Sequence, residues 1–209
     1  MNIAGLVFSF VVSFGLLILA MSVHEFAHGW AAYMLGDRTA KYAGRLTLNP
    51  FSHIDPTWTV LIPLLLFISS NGRFVFGAAK PVPINYWMLR NPKRDILLIG
   101  ASGPLANFIF AFLLTILVKI LPLPARMGFL VINLIVINVL LGVFNLLPIP
   151  PLDGSRILAG LLPNALSSQY LRLEPYGFII LALLIWAGVF YSIVSPVVNF
   201  IMHLMGSVF

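Results

Sequence analysis

The sequence predicts an all-α polytopic membrane protein, a helical bundle of about four to six transmembrane segments. Of its 209 residues, 60% are hydrophobic and only 9% are charged, whereas a soluble domain carries about a quarter charged residues. Several apolar runs also reach the roughly 20 helical residues that cross the hydrocarbon layer. Most of the exterior must therefore face lipid, and the chain length fits one domain over residues 1–209.

The first apolar segment, residues 3–35, stops at Gly36-Asp37, a glycine followed by a charged loop. Residues 1–22 carry no charged side chain, so we interpret this segment as a retained helix rather than a signal peptide. Two clear spans follow at residues 96–121 and 127–147, then a short helix at 154–162. A last apolar block, residues 176–205, has a predicted break at Pro196.

Residues 57–69 form an apolar stretch too short to cross a bilayer, and it contains Pro63. This length predicts a re-entrant segment. The next stretch, residues 72–85, mixes β-branched and aromatic residues with Gly and Pro, which predicts a short β-hairpin at the membrane surface. We expect such a hairpin to present a strand edge to unwound substrate.

Positive charge sets the predicted orientation. Most of the twelve Lys and Arg residues lie between the first and second spans, which places that side in the cytoplasm. The net charge of +6 therefore reflects membrane orientation and does not indicate nucleic-acid binding. The third span then returns to the cytoplasmic side, where the following proline-rich segment emerges.

The first helix contains His24-Glu25-Phe26-Ala27-His28, the HExxH pattern. Residues at i and i+4 share one helix face, so both imidazoles can reach one ion. Glu25 lies about 100° around the helix, near enough to activate water on that ion. The alternative is that the two histidines only pack between helices. It is weaker because burying an ionisable side chain in the membrane is costly, and one bound metal ion would explain all three such residues at once.

A catalytic zinc site needs a third protein ligand, and the chain has no cysteine. We choose Asp153 over His53, His203 and the other acids, because three prolines before it make an extended segment that can turn a carboxylate back toward the first helix. The alternative is that Asp153 only caps the helix that follows.

These motifs resemble the site-2 protease family of intramembrane zinc metalloproteases. Beside HExxH, residues 145–154 match the family's NxxPxPxLDG element, residues 103–107 match its GPxxN element, and residues 80–85 resemble a loop of short members that lack a PDZ domain. The resemblance implies one Zn²⁺ per chain, held by His24, His28 and Asp153, with Glu25 as catalytic base. It also implies membrane-anchored protein substrates, cut within or near a transmembrane helix.

Asn107 and Asn145 are candidates to stabilise the oxyanion or position substrate. For each, a polar link between packed helices is an equal alternative. Arg156 is interpreted as a solvated interfacial arginine rather than a partner of an acid near the site.

Two other functions remain open at this stage. A metal transporter would string polar groups across the bilayer, whereas these residues cluster at one depth. An inactive relative that keeps the fold would not need Glu25. The short chain suggests a prokaryotic plasma membrane, with the site toward the cytoplasm.

Overall fold

The computed structural model describes residues 3–69, 77, 79–188 and 190–206. Within these ranges the chain forms α-helices and short helical turns and contains no β-strand. The predicted all-α class is therefore confirmed. The helices are α1 (Ile3–Met34), α2 (Thr39–Tyr42), α3 (Ile62–Ser69), α4 (Pro92–Ile120), α5 (Ala125–Asn145), α6 (Asp153–Leu161), α7 (Asn164–Leu171), α8 (Gly177–Trp186) and α9 (Ser195–Leu204).

Three of these helices, α1, α4 and α5, are long and apolar enough to cross a membrane. Residues 164–186 and 191–204 form a fourth candidate, a pair of segments bent by 73°. Counting that pair as one span gives four, the lower end of the predicted range. The chain is an integral membrane protein.

Helix α4 lies at the centre of the bundle and packs against α1, α5 and α6. A buried apolar cluster joins α4, α5 and α9, with Ala111, Val139 and Val198 among its members. The opposite face of α4 exposes large apolar side chains, including Leu105 at 57% and Phe112 at 54%. Such exposure is unfavourable in water and indicates a surface that contacts lipid.

The predicted re-entrant segment is a π-helical turn, Pro56–Leu61, that continues into α3. The Asp55 carboxylate caps its start by accepting the N–H groups of Thr57 and Trp58 at 2.9 and 2.8 Å. By Gly77 the chain is back beside this start, because a Cβ on Gly77 would lie 2.6 Å from Cγ of Pro63. Gly77 therefore packs against the helical segment 56–69.

The predicted hairpin falls partly on residues 70–76 and 78, which lie outside the described residues. The described remainder, residues 79–85, is extended but pairs with no described strand. It is held along α1 instead. The Lys80 N–H donates to the His53 carbonyl at 2.9 Å, and the Asn85 N–H donates to the buried Asp37 carboxylate at 2.6 Å.

The connection from α5 to α6 turns sharply. Prolines at 148, 150 and 151 end α5, and α6 begins at Asp153, one residue before the predicted start. Gly154 lies directly against the end of α5, where an added Cβ would be 2.3 Å from the Leu146 carbonyl oxygen. Only glycine permits this contact, which folds the start of α6 back toward the bundle.

The prediction of a break at Pro196 is wrong. The bend lies earlier, at Gly188, which has a φ of +77°. Pro196 lies in the first turn of α9, where its missing N–H removes no intrahelical hydrogen bond. Helix α7 was not predicted, because residues 164–171 carry little apolar periodicity.

Candidate metal centre

Helix α1 brings the two predicted histidines together. Their rings lie edge to face with centroids 4.6 Å apart. The Nε2 atoms of His24 and His28 are 3.0 Å from each other, and both side chains are buried. This is the geometry that the i, i+4 spacing predicts.

Asp153, in the first turn of α6, completes the cluster. Its Oδ2 lies 2.9 Å from Nε2 of His24 and 3.2 Å from Nε2 of His28. One carboxylate oxygen therefore lies within hydrogen-bonding distance of both rings.

The outer nitrogens of both rings face oxygen acceptors. Nδ1 of His24 lies 2.6 Å from Oδ1 of Asn107, and Nδ1 of His28 lies 2.7 Å from the Ile99 carbonyl oxygen. Because each oxygen can only accept, each Nδ1 carries the proton of a neutral ring. Each Nε2 is then an acceptor whose lone pair points toward the other ring and toward Asp153.

Three hydrogen-bond acceptor atoms thus converge, and none of them carries a hydrogen to donate to the others. His24, His28 and Asp153 each offer one ligand atom, and these atoms all lie within 4.8 Å of one another. Such an arrangement is repulsive unless a cation lies among the three atoms. Two imidazole nitrogens and one carboxylate oxygen are the donor set of many catalytic zinc sites, so the residues fit this metal.

A chain of amides fixes the His24 ring. Asn107, on α4, donates from Nδ2 to the Ala20 carbonyl at 3.1 Å and to Oδ1 of Asn138 at 2.7 Å. Asn138 in turn donates to the Leu134 carbonyl within α5. Both N–H groups of Asn107 are occupied, so the structure favours its alternative role as a link between helices over the oxyanion role.

Asn138 was not among the predicted residues. It belongs to no recognisable motif, and it is fully buried in an apolar span. A buried amide at membrane depth is itself a signal, because it must find a partner there. Asn138 supports the metal centre indirectly, through Asn107 and then His24.

Gly103 explains the glycine of the GPxxN element. A Cβ at this position would lie 2.5 Å from Nε2 of His28 and 2.7 Å from Cε1 of His24. The two imidazoles therefore pack directly on the backbone of α4, and any larger residue would displace the nitrogens of the cluster. Asn107 follows one helical turn later and holds His24.

Glu25 borders a cavity of about 440 Å³ that also exposes the metal centre. The backbone N–H of Val82, in the extended segment 79–85, donates to Oε2 of Glu25 at 2.8 Å. This contact was not predicted. It directs the Val82 N–H at Glu25, so that N–H is not available to pair with a substrate strand.

Asn145, at the end of α5, lines the same cavity. One N–H of its amide donates to the Leu141 carbonyl at 3.0 Å, and its second N–H has no partner among the described residues. Apolar side chains from the extended segment 79–85 and from α1, α5 and α8 form much of the remaining wall. Arg156, interpreted from sequence as interfacial, also borders this cavity.

Comparison with known proteins supports this reading of the centre. The family model described as peptidase family M50 matches residues 9–124 and 124–188, which is most of the chain. Among solved protein structures, none matches.

Curated relatives are named as zinc metalloproteases. "Putative zinc metalloprotease YwhC" of Bacillus subtilis is 35% identical over 192 residues, covering 88% of this chain and 84% of that protein. "Putative zinc metalloprotease Rip2" of Mycolicibacterium smegmatis is 29% identical, covering 80% of this chain and 64% of that protein. "Zinc metalloprotease MJ0392" of Methanocaldococcus jannaschii is 39% identical over 71 residues, 34% of this chain and 21% of that protein. The chain belongs to peptidase family M50, the site-2 protease family, and is a zinc metalloprotease.

Proposed function

We propose that this protein hydrolyses peptide bonds of membrane-anchored proteins within or near a transmembrane helix. In this proposal His24, His28 and Asp153 hold one zinc ion, and Glu25 is the general base. The observation that carries it is the convergence of three acceptor atoms, each 2.9 to 3.2 Å from the others, beside a carboxylate at the wall of one cavity.

Zinc, when bound, supplies a Lewis acid that polarises the scissile carbonyl and lowers the pKa of a bound water to about 7. Glu25 then takes the proton from the attacking water and passes it to the leaving amine nitrogen. The Val82 N–H donates to Oε2 of Glu25 and so restrains the orientation of this carboxylate at the cavity wall.

Asn145 is the better candidate for the oxyanion or for substrate positioning. Its second amide N–H is uncommitted and the residue lines the cavity, whereas Asn107 is buried with both N–H groups bonded. A donor placed before the reaction stabilises developing negative charge without reorganisation. Asn107 instead positions His24.

The substrate class follows from the cavity wall and its depth. Trp58 of the re-entrant segment stacks on Phe178 of α8 with ring centroids 5.7 Å apart, and both line the cavity beside Met21. Apolar walls around a polar centre suit an unwound piece of a hydrophobic helix. His24 lies about 30 Å along α1 from its start, near the far boundary of the hydrocarbon layer, where water is accessible.

The side of the membrane is set by charge. The connection between α1 and α4 and the first turn of α4 together contain eight of the twelve basic residues, so the positive-inside rule places the end of α1 at the cytoplasmic face. We accordingly propose a prokaryotic plasma-membrane enzyme that acts near its cytoplasmic boundary. The bacterial relatives are consistent with this membrane.

The test is cleavage by the purified protein in proteoliposomes. A panel of tagged single-span membrane proteins should yield fragments whose new termini, located by mass spectrometry, lie within or beside the spanning segment. A zinc chelator should stop cleavage and added zinc should restore it. The matched control is Glu25→Gln, and cleavage of soluble loops alone would contradict the proposed substrate class.

Glu25→Gln should keep its zinc and lose hydrolysis. Glutamine keeps an oxygen that accepts from the Val82 N–H but cannot take a proton, so we expect a loss of about 10²-fold or more in kcat. Metal content measured on the same sample separates the base from the ligands. Cleavage at the normal rate would exclude Glu25 as the base.

A further inference from the structure

A second cavity, of about 420 Å³, lies beside the catalytic one. It is formed by the first turns of α4, by α6 and by α7, at the end of the bundle where the basic residues cluster. Polar and charged residues are the majority of those that line it, although most of the surface inside the cavity is apolar. The polar lining includes Lys93, Ser155, Arg156, Asn164, Ser167 and Glu174.

Two cations, Lys93 and Arg156, and one carboxylate, Glu174, line this space, so its lining carries a net positive charge. Neither Lys93 nor Arg156 forms a salt bridge with any carboxylate in the described part of the chain. The Arg156 guanidinium instead lies over the Tyr86 ring, 5.6 Å from its centroid. This stacking holds the guanidinium in place and leaves its N–H groups free to bind an anion.

Neutral donors lie in the same wall. The side chains of Asn164 and Ser167 make no hydrogen bond to a described residue. An anion with several acceptor oxygens would use these donors as well as the two cations, since charge-assisted hydrogen bonds are the strong ones. A phosphate group has that chemistry.

Exposed apolar residues that adjoin lining residues in the sequence indicate where the phosphate comes from. Leu161, beside the lining residue Gly160, is 68% exposed, and Leu166, beside Ser167, is 51% exposed. Trp87, next to the lining residue Tyr86, is 97% exposed. Exposed large apolar side chains near basic residues, with an aromatic anchor, are typical of the layer where lipid headgroups meet the acyl chains.

We propose that this cavity binds the phosphate-bearing headgroup of a phospholipid, with Lys93 and Arg156 on the phosphate. Basic pockets between helices at a membrane face are suited to such headgroups. Arg156 borders both cavities, so the bound headgroup lies against the wall of the catalytic site. The inference concerns lipid binding and does not depend on the proposed zinc ligands or on cleavage.

The test compares Lys93→Gln with Arg94→Gln. Both residues are exposed in the first turns of α4, but only Lys93 lines the cavity, so Arg94→Gln controls for surface charge. Each protein is reconstituted in phosphatidylcholine nanodiscs that contain phosphatidylglycerol. The phosphatidylglycerol that remains bound after release into detergent is then counted by native mass spectrometry.

The wild-type protein and Arg94→Gln should each retain phosphatidylglycerol, and Lys93→Gln should retain it about fivefold less. Arg156→Gln should show a similar loss. Equal retention by wild type and Lys93→Gln would overturn the site. Displacement of the lipid by millimolar inorganic phosphate, with phosphate itself retained, would overturn the lipid source and assign the cavity to a soluble phosphate.

Discussion

The backbone N–H of Val82 donates to Oε2 of Glu25 over 2.8 Å, joining the extended segment 79–85 to the HExxH helix. Val82 lies between Pro81 and Pro83, which have no N–H of their own. The Val82 side chain is buried, whereas both prolines are exposed. Of these three residues, Val82 is therefore the one that packs into the protein. The contact restricts the orientation of the proposed base.

Val82→Pro should slow cleavage without removing zinc. Proline deletes the N–H, and a hydrogen bond to a charged group contributes about 1.5 to 3 kcal/mol, so we expect kcat to fall about tenfold or more. The measurement is the rate of substrate cleavage together with zinc content. Val82→Ala keeps the N–H and is the matched control; an equal loss in both variants would assign the effect to side-chain packing.

Asp153→Ala should lose about one zinc per chain, because the two imidazoles alone leave a catalytic site one ligand short. The measurement is the zinc-to-protein ratio of the purified variant. Glu174→Ala removes an exposed carboxylate away from the metal centre and should keep the normal ratio. Full zinc content in Asp153→Ala would exclude Asp153 as a ligand.

Asn107→Ala should weaken zinc binding by about 10- to 100-fold, the usual effect of losing a group that orients a histidine ligand. The substitution removes the acceptor for Nδ1 of His24 and leaves Asn138 without its donor. Competition with a chelator of known affinity measures the change. Asn133→Ala is the control, because Asn133 is an exposed amide that bonds only within α5. Equal affinities in both variants would contradict the positioning role.

Gly103→Ala should damage the metal centre although it adds one methyl group. That carbon would lie 2.5 Å from Nε2 of His28, so the rings or α4 must shift. Gly128→Ala makes the same change on α5, where no atom lies within 4 Å, and should be neutral. Zinc content and activity check both variants. Normal zinc affinity in Gly103→Ala would show that the two helices separate easily.

The parts of the centre that depend on local structure could be predicted from the sequence. The helix period alone makes His24 and His28 neighbours, because residues four apart share a face. The position of Asp153 beside the histidines was harder to predict, because the prolines indicate an extended segment but not the direction in which it runs. That direction depends on Gly154, which allows α6 to pack under the Leu146 carbonyl.

The remaining contacts depend on tertiary packing that no local pattern records. Asn138 lies about two helical turns before Asn145, and only the fold shows that it contacts Asn107 on another helix. The Val82 N–H could not be singled out, because every residue except proline has one. The bend at Gly188 was missed because proline is the stronger helix breaker, although it is well tolerated in a first turn.

The separation of the proposed ligands along the chain has a consequence for biogenesis. Asp153 follows His28 by 125 residues, with α4 and α5 in between. During synthesis α1 enters the membrane long before the third ligand leaves the ribosome. A half-made chain therefore has the HExxH helix but lacks the third proposed ligand until α6 has been made.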